Sequence, residues 1–187
     1  MNKHLRRAAA LVGSLALLCG MTLLLRYGYR RYLQSVYPLR YQQEVEKAAQ
    51  LAELSPSLLF AVMRTESEFD PAARSAAGAC GLMQLTEETY QWAAGQLPFA
   101  AADIWDAETN ICCGALVLQR QYRQFGNWEA AFAAYNAGGT AVKRWLADPN
   151  CSADGKTLQY IPYRETRDFV QRVFEAQRMY QTLYALL

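Results

Sequence analysis

A basic start, Lys3, Arg6 and Arg7, runs into an uncharged stretch from Ala8 to Leu25 that closes at Arg26. Its 18 residues are near the lower limit for crossing a hydrocarbon core of roughly 30 Å as a helix. A cleaved signal peptide has the same basic-then-apolar order, but its apolar core spans roughly 7 to 15 residues and ends at a small-residue cleavage site. Here the run is longer, and Tyr27 and Arg30 follow where small residues belong. An uncleaved membrane anchor over residues 1–26 is therefore expected. Arg26, Arg30 and Arg31 balance the basic start, so the excess of positive charge that marks a cytoplasmic flank does not orient it.

The mixed Tyr and Arg residues beyond the anchor suit a juxtamembrane stalk, residues 27–40, at headgroup level. Residues 41–187 are left for one compact domain, the normal size for one. Lys and Arg outnumber Asp and Glu by only 19 to 17, which gives no footprint of a nucleic-acid binder. Partners must be sought in local motifs.

Helical spacing dominates the body. Val45, Ala48, Ala49 and Ala52 recur every three or four residues, and Ser55-Pro56 reads as an N-cap followed by proline in the first turn of a second helix. Further helices are expected at Thr86 to Gln96, Ala107 to Phe125, Trp128 to Tyr135, Gly139 to Ala147 and Thr166 to Leu187, where Ala, Leu, Gln and Arg are abundant. No alternating strand pattern competes with them. The SAAGACG stretch from Ser75 and the DPNCSADG stretch from Asp148 carry turn-forming residues and read as loops. An all-α domain preceded by a transmembrane helix is the fold expectation.

Cys80, Cys112, Cys113 and Cys151 lie in the body. In an exported domain an even count permits disulfides, with three pairings open, while small buried thiols are an equal alternative. A metal site has little support, since no CxxC pair exists and the only histidine, His4, precedes the anchor.

One carboxylate stands out. The helix from Pro56 aligns Leu59, Val62, Met63 and Phe69 on one face, and Glu66 falls on that stripe. Burial disfavours a charged carboxylate and raises its pKa, which is what a general acid for a glycosidic oxygen requires. A structural ion pair with Arg64 or Arg74 would account for the same placement.

Read together, ESEFDPAARSAAGACGLMQLTEETY from Glu66, TNICCG from Thr109, AAYNAG from Ala133 and IPYRETRDFV from Ile161 resemble the lytic transglycosylases related to the soluble enzyme's catalytic domain. The resemblance covers nearly the whole body, and four blocks in family order are a specific signal where a lone GLMQ is not. It implies a lysozyme-like α-helical domain with a groove for a peptidoglycan strand, and no metal or cofactor. Glu66 then matches the single catalytic acid and base. It would protonate the bond oxygen between N-acetylmuramic acid and N-acetylglucosamine, then deprotonate the muramyl 6-hydroxyl, which closes a 1,6-anhydro ring without consuming water.

By the same resemblance Ser75 and Gln84 match positions that contact the sugar, and Gly81 lets the loop approach it closely. Met83 matches a groove-lining position, although a Met at helical spacing is more often core. Tyr135 and Asn136 border the site, and Glu165 lies across the groove. Many relatives carry Tyr where Phe169 stands, leaving Tyr163 or Tyr160 to supply that phenol. Asp70 reads as a turn-former before Pro71. Cys80 lies in the substrate loop, where a bond to Cys112 or Cys113 would make the groove redox sensitive. The implied setting is a single-pass anchor in the cell membrane with the catalytic domain extracytoplasmic, in cell-wall remodelling, with a cell-envelope protein complex as an open partner. A hydrolytic muramidase of the same fold and a non-catalytic glycan-binding module are the competing readings.

Overall fold

The computed structural model describes residues 3–184, so the first two residues of the expected anchor and the last three of the expected catalytic domain lie outside the described part. It divides into two compact units, residues 1–38 and 39–187. The first unit is one helix, α1 (Lys3–Val36). By length and composition Leu11–Val36 is long and apolar enough to cross a membrane, and Leu15, Leu17, Leu23 and Leu24 expose most of their surface. Most of the residues expected as a stalk continue the same helix, which runs unbroken from the apolar run through Tyr32 to Val36.

The second unit holds α2 (Gln42–Ala52), α3 (Pro56–Ser67), α4 (Glu87–Ala94), α5 (Ala107–Phe125), α6 (Trp128–Ala137), α7 (Gly139–Ala147) and α8 (Arg164–Leu183). Among the described residues there is no strand, only isolated bridges of Cys80 with Arg74 and Leu85. Thr86, Asp106 and Asn127 cap α4, α5 and α6 by accepting from the backbone N–H three residues on. These caps satisfy donors that the first helical turn cannot. Ser55 precedes α3 as expected but forms no such cap; its hydroxyl pairs with that of Ser57 at 3.1 Å. The last helix starts at Arg164, two residues earlier than its spacing indicated.

The central helix is α3. Every residue from Ser57 to Met63 is buried, so it is a core helix covered on all sides rather than the one-faced helix that its stripe implied. It packs on α2 and α8, while α5 packs on α2, α4 and α6. Polarity begins only at Arg64, as the helix leaves the core. The chain then reverses through Glu68 and Phe69, both left-handed at φ 52 and 66. Two successive non-glycine residues in that region are costly, and Phe69, 2% exposed, offsets part of the cost by burying its ring near Phe60.

All five cysteines are unbridged, and Cys80, Cys112, Cys113 and Cys151 are buried. The structure therefore favours the buried-thiol alternative over a bond from Cys80 to Cys112 or Cys113. Burial pushes the thiols of Cys112 and Cys113 up to about 11 and about 12, which suits inert core groups.

The glycine of the TNICCG block has a packing role. Gly114 lies on α5 where an added Cβ would fall 2.7 Å from Met83 Cβ, too close for either backbone to tolerate. Gly114→Ala should lower stability by about 1–2 kcal/mol despite better helix propensity, because overpacking outweighs a gain of about 1 kcal/mol. Urea denaturation followed by circular dichroism would show it, and an unchanged midpoint would contradict this packing.

Candidate functional site

A groove of about 820 Å³ is lined by Glu66 from α3, Ser75 and Gln84 from the loop after it, Trp92 from α4, Arg120 and Gln121 from α5, Tyr135 and Asn136 from α6, and Glu165 from α8. Residues far apart in sequence meet there because the helices that carry them pack around α3 and α5.

Glu66 is half-buried in the last turn of α3. Desolvation pushes its carboxyl up to about 8; the positive charge of Arg172 opposes the rise and the negative charge of Glu165 adds to it. Its position near the carbonyl end of α3 works in the same direction, because a helix C-terminus disfavours negative charge. Among the described residues no hydrogen bond or salt bridge holds this carboxyl, so neither Arg64 nor Arg74 pairs with it. The result is a carboxylic acid that keeps its proton at neutral pH and faces the groove.

The loop after α3 is braced by its own backbone. Ser75 Oγ accepts from Ala79 N at 3.0 Å, and Gln84 Nε2 donates to the carbonyls of Ala73 and Gly81 at 3.0 and 2.9 Å. Ser67 Oγ donates to Leu82 O at 2.8 Å and ties the loop to the end of α3. The central brace is Asn110 of α5, 1% exposed. Its Oδ1 accepts from Met83 N at 2.8 Å, and its Nδ2 donates to Ile104 O at 2.7 Å and Cys80 O at 3.3 Å. The sequence reading missed Asn110, although its block was noted.

Tyr135 donates its phenol to Met83 O at 2.7 Å. Burial, with repulsion from Glu66 and Cys113, holds that phenol well above its ordinary range, so it remains a donor. Its ring lies parallel to Phe169 at 6.5 Å between centroids. Asn136 Oδ1 accepts from Thr166 Oγ1 at 2.7 Å, which leaves its Nδ2 donors for the groove it lines. Glu165 is exposed in the first turn of α8.

Three expected site residues are placed elsewhere. The Met83 side chain is 0% exposed and fills space against Gly114, so its core role prevails and only its backbone shapes the site. Gly81 has φ +76, and a Cβ there would lie 2.5 Å from Asn110 Nδ2; its freedom serves packing on Asn110. Tyr163, 51% exposed, stands edge-on to Trp145 at 5.1 Å and is absent from the groove lining. Asp70 is exposed and accepts from Ala72 N at 2.9 Å, the turn role expected of it. Arg172, Trp92, Arg120 and Gln121 had escaped the sequence reading.

Residues 43–157 match the family model described as the transglycosylase SLT domain. The soluble lytic murein transglycosylase of Escherichia coli K12 is 32% identical over 156 residues, which cover 80% of this chain and 24% of the relative. The membrane-bound lytic murein transglycosylase C of Haemophilus influenzae PittGG is 30% identical over 171 residues, 76% of this chain and 47% of the relative. Among solved structures, an inactive glutamate-to-glutamine mutant of the lytic transglycosylase Slt from Pseudomonas aeruginosa has a TM-score of 0.68 at 33% identity, over 80% of this chain and 25% of that one. The 70-kDa soluble lytic transglycosylase complexed with bulgecin A has a TM-score of 0.70 at 30% identity, again over 80% and 25%. The chain thus spans about a quarter of the length of its soluble relatives and about half that of the membrane-bound one.

The Glu66 carboxyl gives this site a pH signature. Its folded pKa of about 8 exceeds the ordinary 4.5, so the folded state holds an extra proton between those values and stability falls as pH rises through that window. Glu66→Gln removes the penalty. The variant should match the wild type near pH 4 and exceed it at pH 9 by on the order of 2 kcal/mol, after discounting for the carboxyl's partial exposure. Thermal melting across that range would test this, and a variant less stable than wild type at pH 9 would overturn it.

Proposed function

The chain belongs to the transglycosylase SLT domain family, and from that membership we propose that it is a peptidoglycan lytic transglycosylase with Glu66 as both acid and base. The observation that carries the reading is a half-buried carboxyl with a raised pKa and no ion-pair partner, facing a groove of about 820 Å³. As acid, Glu66 gives its proton to the oxygen between N-acetylmuramic acid and N-acetylglucosamine. The resulting carboxylate then takes the proton of the muramyl 6-hydroxyl as that oxygen attacks the anomeric carbon. One bond breaks and one forms, the proton count is restored, and the muramyl end leaves as a 1,6-anhydro sugar.

Asn136 Nδ2 and the hydroxyl of Ser75 supply polar groups to the groove, and Tyr135 holds the Met83–Gln84 backbone in place behind it. Glu165 serves as a sugar contact, and its charge helps keep Glu66 protonated. The inactive glutamate-to-glutamine mutant of the P. aeruginosa relative supports dependence on a single carboxyl. Glu165 shares the groove with Glu66, which favours a hydrolytic muramidase as the second reading, since hydrolases work with paired carboxylates.

Residues 1–26 are proposed as the core of a single-pass anchor in the cell membrane and residues 41–187 as an extracytoplasmic catalytic domain, with α1 carrying the chain through residues 27–36. As a helix Leu11–Val36 extends about 39 Å, enough to cross the hydrocarbon core with some tilt. The name of the H. influenzae relative supports membrane attachment.

Mass spectrometry of muropeptides released from purified peptidoglycan tests the reaction. The wild type should yield anhydromuramic ends, lighter by one water than hydrolytic ends, and Glu66→Gln should lower their yield by roughly 10²- to 10⁴-fold. Reducing ends would establish the muramidase instead.

A further inference from the structure

Three carboxyls and one guanidinium line the groove, the protonated Glu66 together with Glu88, Glu165 and Arg120. Arg120 is the single cation of that lining, and it is not spent on an internal ion pair: among the described residues it joins neither salt bridge. It is nevertheless positioned. Its guanidinium lies 4.3 Å from the centroid of the Trp92 ring, and Trp92 is itself 36% exposed on α4. Stacking uses the face of a guanidinium and leaves its in-plane N–H donors open to a carboxylate. Beside it in sequence, Gln121 lines the same groove, and its Oε1 is buried without a hydrogen-bond partner.

The sugar rings of an N-acetylated glycan carry no charge and give an arginine nothing ionic to hold. The lactyl arm of each muramyl residue does. It ends in a free carboxylate where the peptide stem has been removed and in the stem's own carboxylates and amide N–H groups where it remains. Glu88 and Glu165 would repel such an arm, so a groove that admits it needs an offsetting cation.

We propose that Arg120, stacked on Trp92, is a substrate-binding residue that recognises a carboxylate on the muramyl lactyl arm. This rests on the glycan-cleaving activity proposed above. It makes the α4–α5 part of the groove the determinant of which strands are taken, separate from the chemistry at Glu66.

The test is the kinetics of product release by the full chain in detergent on three substrates. These are stem-bearing strands, strands trimmed to the free lactyl carboxyl, and trimmed strands with that carboxyl converted to its amide. Arg120→Gln should raise KM roughly five- to ten-fold on carboxylate-bearing strands, the loss of one partly exposed charge-assisted hydrogen bond, and distinctly less on the amidated strand, whose neutral carbonyl accepts without charge assistance. Arg120→Lys, which keeps the charge without the planar fork, should lose less. A rise confined to the trimmed strand identifies the free lactyl carboxylate as the partner, a rise confined to stem-bearing strands identifies a carboxylate of the stem, and a rise on both shows that Arg120 takes whichever carboxylate ends the arm. Equal effects on all three substrates, or none, would overturn the proposal. Wild-type release from the amidated strand shows the glycan activity to stand whatever Arg120 does; a wild type inert on every strand would remove that activity and the proposal together.

Discussion

The groove depends on one buried side chain, Asn110. From the first turn of α5 it holds the backbone of Met83, Cys80 and Ile104 at once, joining the loop after α3 to the segment that leads into α5. The bonds to Met83 N and Ile104 O partner buried backbone groups, and the third adds to Cys80 O, which also accepts from Leu85 N at 3.0 Å. The neighbours are shaped around this brace: Gly81 is bare because a Cβ would strike Asn110, and Gly114 is bare because Met83 presses on α5. With Met83 fixed, its carbonyl takes the Tyr135 phenol, and α6 is held to the loop. A short polar side chain thus links α5, the loop and α6, where apolar packing alone would leave the loop free to slide.

Against that rigid frame, the carboxyl of Glu66 has no hydrogen-bond partner among the described residues. A half-buried acid with no hydrogen-bond partner destabilises the fold once it ionises, and nothing in the packing of α3 requires it, since the buried run ends at Met63. Two devices keep the burden small. The acid stays protonated at neutral pH because burial and Glu165 outweigh Arg172. The left-handed reversal at Glu68 and Phe69 returns the chain to the core at once, so the polar end of α3 stays short.

Much of this was legible in the sequence. Helical spacing located α5 and α7 to the residue, because each is bounded by strong punctuation, Asp106 before α5 and Gly126 after it, and Gly138 before α7. Glu66 was legible as a carboxylate on an apolar stripe. Met83 and Gly81 resisted because one-dimensional spacing cannot say which side of a loop meets the core and which meets the groove. The continuation of α1 through Tyr27 to Val36 was hidden by the switch from apolar to aromatic and cationic side chains, which alters solvation without breaking helical geometry. Arg120 and Trp92 gave no signal at all, since an exposed arginine and an exposed tryptophan on different helices look ordinary until folding stacks them.

Glu66 and Arg120 ask for opposite environments, and the fold supplies both within one groove. An acid that must hold its proton needs exclusion from water and no nearby cation strong enough to ionise it. An arginine that is to bind a carboxylate needs access and a flat surface to rest on. Glu66 sits where α3 leaves the core, while Arg120 stands exposed on α5 against the ring of Trp92 on α4. Arg120 is absent from the charges that act on Glu66. Under the proposed reaction, changing strand preference at Arg120 therefore need not disturb the proton on Glu66, so that selection and cleavage can vary independently on the same scaffold.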